Sequence, residues 1–251
     1  MEDIAIPKLP DPEKDPMGWM LWTKYLHPEL TVKFERDDGF SDEDYFAEMA
    51  FNSYAQFYKI ERQCLAQVLE ERVLDIGTGA GRGAIHFQNR GMDITALDVS
   101  EGAVDLARTR GVNKLRHGSI LDVRPQDGPW DGFVMIGNGT TVAKNLPELK
   151  KILKHLRKLA APKAQLVITS LDIFANPAPP HQSYQAAKKA EGRYPGEFNV
   201  RYQINGTSSG WLAGVLVDPS TLYQLLTDCG WSVQRKIVHA SEEPLFGMVA
   251  H

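Results

Sequence analysis

Cysteine, charge of a single sign and long apolar runs are all scarce in this chain. Two cysteines occur in 251 residues, Cys64 and Cys229, far apart and with neither a Cys-x-x-Cys pair nor a histidine at ligand spacing beside them. A disulfide framework is excluded, no metal site is expected, and both thiols read as buried side chains of a reducing compartment. Lys and Arg number 28 against 32 Asp and Glu, a formal net charge of −4, so the basic footprint of a nucleic-acid binder is missing. No apolar stretch approaches the roughly 18 residues of a membrane span, and Pro7, Pro10, Pro12 and Pro16 interrupt an acidic N-terminal region unlike a secretion signal. A cytoplasmic protein without a membrane partner is expected, in which the Asn205-Gly206-Thr207 triplet matches the glycosylation pattern by chance. The hydrophobic and charged fractions, 43% and 24%, are those of an ordinary soluble domain, and the length suits one α/β domain with elaborations.

The most informative run is Val73-Leu74-Asp75-Ile76-Gly77-Thr78-Gly79-Ala80-Gly81-Arg82-Gly83. Its first residues make a buried strand, which breaks into a glycine loop and then a helix. Gly77, Gly79 and Gly81 permit positive φ and let main chain lie against a ligand without a Cβ in the way, while the helix start offers free N–H groups. The dinucleotide fingerprint needs a glycine at 82, where Arg82 stands. Asp75, at the mouth of the loop, would repel a diphosphate but suits a cation such as the α-ammonium of an amino-acid-like ligand. A nicotinamide-dependent oxidoreductase is the alternative that these two residues disfavour. Ile94-Thr95-Ala96-Leu97-Asp98 then brings a second acid about 20 residues on, where a doubly wound sheet sets the acceptor for ribose hydroxyls. The order acid, loop, strand, acid points to a nucleoside ligand.

On these residues the sequence resembles the class I S-adenosylmethionine-dependent methyltransferases, from about Arg72 to Ser170 and more loosely to the C-terminus. The resemblance implies an α/β fold with a doubly wound, mostly parallel seven-stranded sheet, Rossmann-like, closed by an antiparallel C-terminal hairpin. It implies S-adenosyl-L-methionine as cofactor, S-adenosyl-L-homocysteine as product, and methyl transfer to a small-molecule acceptor through N or O. Asp75, Gly77, Thr78, Gly79 and Gly81 would then flank the methionine part and Asp98 would take both ribose hydroxyls; Arg82, by its place in the loop, is set either to meet the cofactor carboxylate or to point to solvent from the helix start. Val99, Ser119 and Ile120 would border the adenine. Many members carry an acid after the glycine that follows the third strand; Ser119 stands there, with Asp122 the nearest substitute. A catalytically silent S-adenosylmethionine-binding protein would keep the same loop and is the second alternative.

The hydrophobic pattern divides the chain into four parts of one domain. Residues 1–70 read as an arm with a helical cap: Trp19, Trp22 and Tyr25 are too apolar for a free tail. From Ser41 the spacing predicts a helical stretch with Ser41 and Asp44 as an N-cap pair and Tyr54 and Phe57 on its core stripe. Residues 71–172 alternate strands at 72–76, 94–98, 114–117, 132–136 and 165–170 with helices near 82–90, 101–110 and 146–160. The lysines at 150, 151, 154 and 158 face away from the leucines between them, as on a solvated helix. Residues 173–218 break the alternation: a proline-rich opening leads to Phe198–Ile204 and Trp211–Val217 around Asn205-Gly206, a β-hairpin pattern, inserted where it would overhang the carboxyl ends of the sheet. Residues 219–251 supply a last helix and two strands.

Methyl transfer from a sulfonium is an in-line displacement that needs an oriented acceptor in a site closed to water; a base is required for a hydroxyl and optional for an amine. Asn138, between Gly137 and Gly139 after the fourth strand, is expected beside the reacting centre and the cofactor. Asp172 and His181, on the same edge, are candidate proton acceptors. Arg201, Tyr202 and Trp211, on the hairpin, would make a substrate wall for an anionic or aromatic acceptor, or alternatively a protein contact. Nothing in the sequence separates a monomer from a homodimer.

Overall fold

The structure is a computed structural model describing residues 8–68, 72–242 and 244–251. Residues 1–7 of the expected arm, and the expected helix end and domain boundary near residue 70, lie outside the described residues. In chain order the elements are α1 (Pro16–Leu26), β1 (Lys33–Arg36), β2 (Ser41–Glu43), α2 (Tyr45–Met49), α3 (Lys59–Leu65), β3 (Arg72–Ile76), α4 (Arg82–Asn89), β4 (Asp93–Asp98), α5 (Glu101–Thr109), β5 (Leu115–His117), β6 (Trp130–Met135), α6 (Leu146–Leu159), β7 (Ala160–Leu171), α7 (Pro179–Ala190), β8 (Glu197–Ile204), β9 (Thr207–Ser208), β10 (Leu212–Val215), α8 (Pro219–Asp228), β11 (Val233–Val238) and β12 (Leu245–Ala250).

Seven strands form the main sheet in the order β11-β12-β7-β6-β3-β4-β5. The pairs from β7 to β5 are parallel and β12 runs antiparallel to both its neighbours. This is the expected doubly wound sheet with its C-terminal hairpin. Strands flanked by helices on both faces are apolar almost throughout, as in Val73–Ile76 and Leu166–Ile168. On one face α6 and α8 bury Leu149, Ile152, Leu153, Leu156 and Leu226 against the sheet. On the other, α3 and α4 bring Ile60, Leu65, Ala84 and Phe87. Phe87 is fully buried, so Phe87→Ala would cost about 3–5 kcal/mol. Helix α6 starts where Asn145 accepts the N–H of Glu148 at 2.9 Å, with Pro147 in the first turn.

The N-terminal region departs from the expected long helical stretch. Ser41 lies in β2 and is not a helix cap; Asp44 alone caps, accepting the Phe46 N–H at 2.8 Å. The chain reverses at Gly39, whose φ of +84° suits glycine, so that β1 and β2 pair antiparallel. A single 3-10 turn at Tyr54–Gln56 separates α2 from α3. Strand β1 then pairs with β8 of the insertion, giving a second sheet in the order β10-β8-β1-β2 with β9 beside β8. The expected hairpin is present, turning at Asn205 and Gly206 with φ of +47° and +80°. Its return strand is interrupted at Ser209–Trp211, where the Gly210 N–H donates to the Pro12 carbonyl at 3.0 Å.

Helix α1 docks on α5 through Met20, Leu21, Trp22 and Leu106. The Trp22 indole donates to the Gly102 carbonyl at 2.9 Å, and Asp15 ties the two helix starts together, accepting from the N–H groups of Gly18 and Gly102. Both cysteines are buried and free. Among the described residues no helix is long and apolar enough to cross a membrane, and no cluster of His, Cys, Asp and Glu could hold a metal ion.

Candidate functional site

The carboxyl ends of β3, β4, β6 and β7 and the inner face of the small sheet enclose one cavity of about 1080 Å³. Gly77, Gly79, Asp98, Val99, Ser119, Ile120, Asn138, Asp172, His181, Tyr202 and Trp211 all line it. Sequence positions spread over more than half the chain are thus brought to one place. The sheet supplies one wall and the small sheet the other.

The glycine loop is held open by its own hydrogen bonds. The N–H groups of Gly77 and Thr78 donate to the Leu97 carbonyl at 2.9 and 3.1 Å, and the Gly79 N–H donates to Asp98 Oδ2 at 2.8 Å. Gly77 and Gly79 have φ of +73° and +54°, and a Cβ built on Gly79 meets nothing closer than Leu21 Cδ1 at 4.0 Å. The loop therefore offers bare main chain. Asp98 also accepts the Ser100 N–H at 2.9 Å through Oδ1, which leaves each carboxylate oxygen a lone pair for a ligand hydroxyl. Burial pushes the Asp98 pKa up and these two N–H groups oppose it; nearby Asp15 raises it further.

Four expected cofactor contacts sit behind the loop instead of on the cavity wall. Asp75 is buried and accepts the Thr78 hydroxyl at 2.7 Å, so this pair braces the loop from within. Burial pushes the Asp75 pKa up to about 6, with the Thr78 bond and Arg82 pulling the other way. Gly81 opens α4 with φ of +81°, packed where a Cβ would meet Val112 at 2.7 Å. Arg82 does not reach for a ligand: its guanidinium makes a two-pronged salt bridge to buried Glu61 and lies 4.4 Å from the Phe57 ring centre. Phe57 packs there, and Tyr54 stacks on His86 at 3.7 Å, so neither walls the cavity. Of the residues expected to border the adenine, Ser119 caps a 3-10 turn and Ile120 is buried, whereas Asp122 is exposed and outside the cavity.

At the far side Asn138 adopts the left-handed conformation, φ +63°. Its main-chain carbonyl takes the N–H and hydroxyl of Thr141, while its amide has no partner among the described residues. Asp172 accepts the Phe174 N–H at 3.0 Å, a local turn, yet still faces the cavity. His181 is not free to act as a base. Its Nδ1 lies 3.1 Å from Arg36 Nη1; a guanidinium only donates, so Nδ1 accepts and the neutral ring carries its proton on Nε2. Burial and Arg36 both lower the His181 pKa.

Strand periodicity sorts the substrate wall. Phe34 and Arg36 on β1 and Phe198, Val200 and Tyr202 on β8 line the cavity, and alternate residues point the other way. Arg201 therefore leaves the wall expected of it, donating to Glu35 at 2.7 Å and stacking 4.9 Å from the Trp211 ring on the outer side. Trp211 lines the cavity and is 49% exposed. Arg36, unnoticed in the sequence, forms a bidentate pair with Asp38 and lies 4.0 Å from the Tyr184 ring. Asp15, Met17, Asp44 and Phe46 also line the cavity from the N-terminal region. The one sequence signal for them was the apolar character of an N-terminal region too rich in Trp and Tyr for a tail.

Residues 73–163 match a methyltransferase domain family. A demethylmenaquinone methyltransferase of Clavibacter sepedonicus is 24% identical over 163 residues, spanning 60% of this chain and 66% of that protein. Among solved structures, a SAM-dependent methyltransferase from Bacteroides fragilis in complex with S-adenosyl-L-homocysteine is similar at a TM-score of 0.76 and 22% identity, over 97% of each chain. The CcbJ methyltransferase of Streptomyces caelestis is similar at a TM-score of 0.61 and 12% identity, over 76% of this chain and 87% of its own.

Proposed function

We propose that this chain is a class I S-adenosylmethionine-dependent methyltransferase, a reading that its methyltransferase-domain match and its fold support, and that it methylates a small-molecule acceptor inside the roofed cavity. S-Adenosyl-L-methionine is the cofactor, and when bound it supplies an electrophilic methyl group on a sulfonium. The residues fit it: Gly77 and Gly79 expose main chain, Asp98 keeps acceptor lone pairs toward the cavity, and Ser119 and Ile120 flank the adenine side. Asn138 is the residue we assign beside the reacting centre, where its unpartnered amide would orient the acceptor. Asp172 is retained as a polar contact, and His181 donates from Nε2 to the acceptor.

One observation carries the small-molecule reading: the β10-β8-β1-β2 sheet covers the cavity that the cofactor loops open into. A space of this kind takes a metabolite-sized ligand, and a net charge of −4 offers nothing to a nucleic acid. Excluding water there protects the sulfonium and strengthens every polar contact made to the acceptor.

Calorimetric titration with S-adenosyl-L-homocysteine and with NAD, followed by a labelled-methyl assay on a metabolite library, tests the reading. The homocysteine ligand should bind and raise the melting temperature, by about 2.7 kcal/mol of added stability at a hundredfold excess over Kd. NAD binding in its place would restore the oxidoreductase alternative, and binding without turnover on any acceptor would favour the silent cofactor-binding protein.

A further inference from the structure

We propose that Asp44 is the acceptor-binding acid of this site and that the acceptor is an amine carried on an aromatic or apolar frame. The inference rests on the methyltransferase reading above.

Asp44 stands between β2 and α2, and the sequence explains it as a helix cap. The cap uses one oxygen: Oδ1 accepts the Phe46 N–H at 2.8 Å. The carboxyl group also borders the cavity, and no cation forms a salt bridge with it among the described residues, the groups bearing on it being burial and the main-chain N–H groups of Phe46 and Ala47. Two cations of the neighbouring elements are committed elsewhere. Arg36 is paired with Asp38, and Lys24 with Glu48 and the Pro28 and Leu30 carbonyls. A carboxylate left in a low-dielectric cavity without a counter-charge is costly unless a ligand brings one. Around it Phe34, Phe46, Tyr184, Phe198 and Tyr202 line the same space, surfaces that favour an aromatic body and the face-on approach of a cation.

The position relative to the chemistry agrees. A Cβ built on Gly137 would lie 3.3 Å from Phe46 Cε2, so the start of α2 packs on the Gly137–Gly139 loop that carries Asn138. An ammonium held at Asp44 is thereby kept on the Asn138 side of the cavity. Proton transfer follows simply: an N–H bond of the ammonium breaks, an O–H bond forms on Asp44, and the electron pair stays on nitrogen as the nucleophile. Burial moves both partners toward this exchange, pushing the Asp44 carboxyl up to about 6 and drawing an ammonium down. Lys144 lines the cavity from the segment after β6, which makes a carboxylate acceptor the competing outcome.

The test uses the full chain saturated with S-adenosyl-L-homocysteine and three probes of one shape: 2-phenylethylamine, 2-phenylethanol and 3-phenylpropanoate. The wild type should bind the amine at least tenfold more tightly than the alcohol or the acid. Asp44→Asn, which keeps a capping side chain, should abolish that preference while S-adenosyl-L-homocysteine affinity stays within twofold; Asp44→Ser, also a cap, serves if the first variant fails to fold. A wild type with no tenfold amine preference, one that prefers 3-phenylpropanoate, or a variant that keeps the preference overturns the assignment. A wild type that binds no S-adenosyl-L-homocysteine would instead sink the methyltransferase reading beneath it.

Discussion

The two walls of the cavity are built on different principles. The wall formed by the ends of β3 and β4 is local: Gly77, Gly79 and Asp98 lie within one strand-loop-helix-strand unit, and a hydrogen bond between Gly79 and Asp98 closes it. The opposite wall is assembled from two distant stretches, with Phe34 of β1 in register with Tyr202 of β8 and Arg36 with Val200. Local encoding suits a contact that must be the same for every ligand molecule of one kind. A wall made by pairing distant strands can change its lining without disturbing the loop.

The loop is where a single side chain should do most harm. Gly79→Val places a branched side chain at φ +54° and into the space that the ligand needs, so S-adenosyl-L-homocysteine binding should fall by at least about a hundredfold in calorimetry. Normal binding would mean that this loop is not a contact surface. Asp98→Ala should weaken binding by about 1.5–3 kcal/mol, since it removes hydroxyl contacts and also frees the Gly79 and Ser100 N–H groups. Its circular dichroism should stay that of the wild type, and unchanged affinity would end the ribose assignment.

The second wall should respond differently. Asp37 accepts from the Tyr184 hydroxyl at 2.6 Å, Lys188 at 3.2 Å and Asn199 at 2.8 Å, joining the β1–β2 turn to α7 and β8. Asp37→Ala should cost about 1–3 kcal/mol of local stability and speed amide exchange in β8 and α7, with β3 and β4 unaffected. Uniform exchange across both sheets would refute the separation.

Asp218 links the end of the insertion to α8. Burial pushes its carboxyl up, but hydrogen bonds from Ser220, Thr221 and Tyr194 outweigh this and hold it at about 2. A depressed folded-state pKa gives stability that is present above the unfolded value near 4 and is lost as pH falls toward 2. Asp218→Ala should therefore cost about 0.5–2 kcal/mol of stability at pH 7 for a lost helix cap, seen as a lower melting temperature, and the gap should close between pH 4 and 2. A gap independent of pH would exclude the carboxylate as its source. Smallest of all, Arg201→Ala should cost less than about 1 kcal/mol, since its ion pair and ring contact lie on the outer face, and ligand affinity should not change. A marked loss would return Arg201 to the cavity.

What could be read from the sequence follows the same division. The strand alternation, the glycine loop and Asp98 depend on neighbours in sequence, and period and spacing reveal them. Arg82 looked like a ligand contact because its partner, Glu61, lies in a separate helix that no spacing rule connects to the loop. Arg201 was misassigned because a hairpin pattern says which residues alternate but not which set faces inward; the pairing with β1 decides that. Ser41 failed as a helix cap for the same reason, its segment being claimed by β1 before a helix could start. His181 could be located at the sheet edge, yet its tautomer depends on Arg36, far away in sequence.

Strand β1 is synthesised long before the strand it pairs with. Between Arg36 and Glu197 lies most of the main sheet, and at about 5–20 residues per second a ribosome takes on the order of ten seconds to reach β8. Through that interval β8 cannot cover the edge of β1 that it pairs with in the folded chain. Exposed edges recruit other chains. The strand is four residues long, and Lys33, Glu35 and Arg36 charge three of its positions, which are the devices that keep an edge from pairing with the wrong partner. The charges that flank Phe34 in the cavity roof are thus of the kind that discourages a wrong partner on that edge while β8 is still unmade.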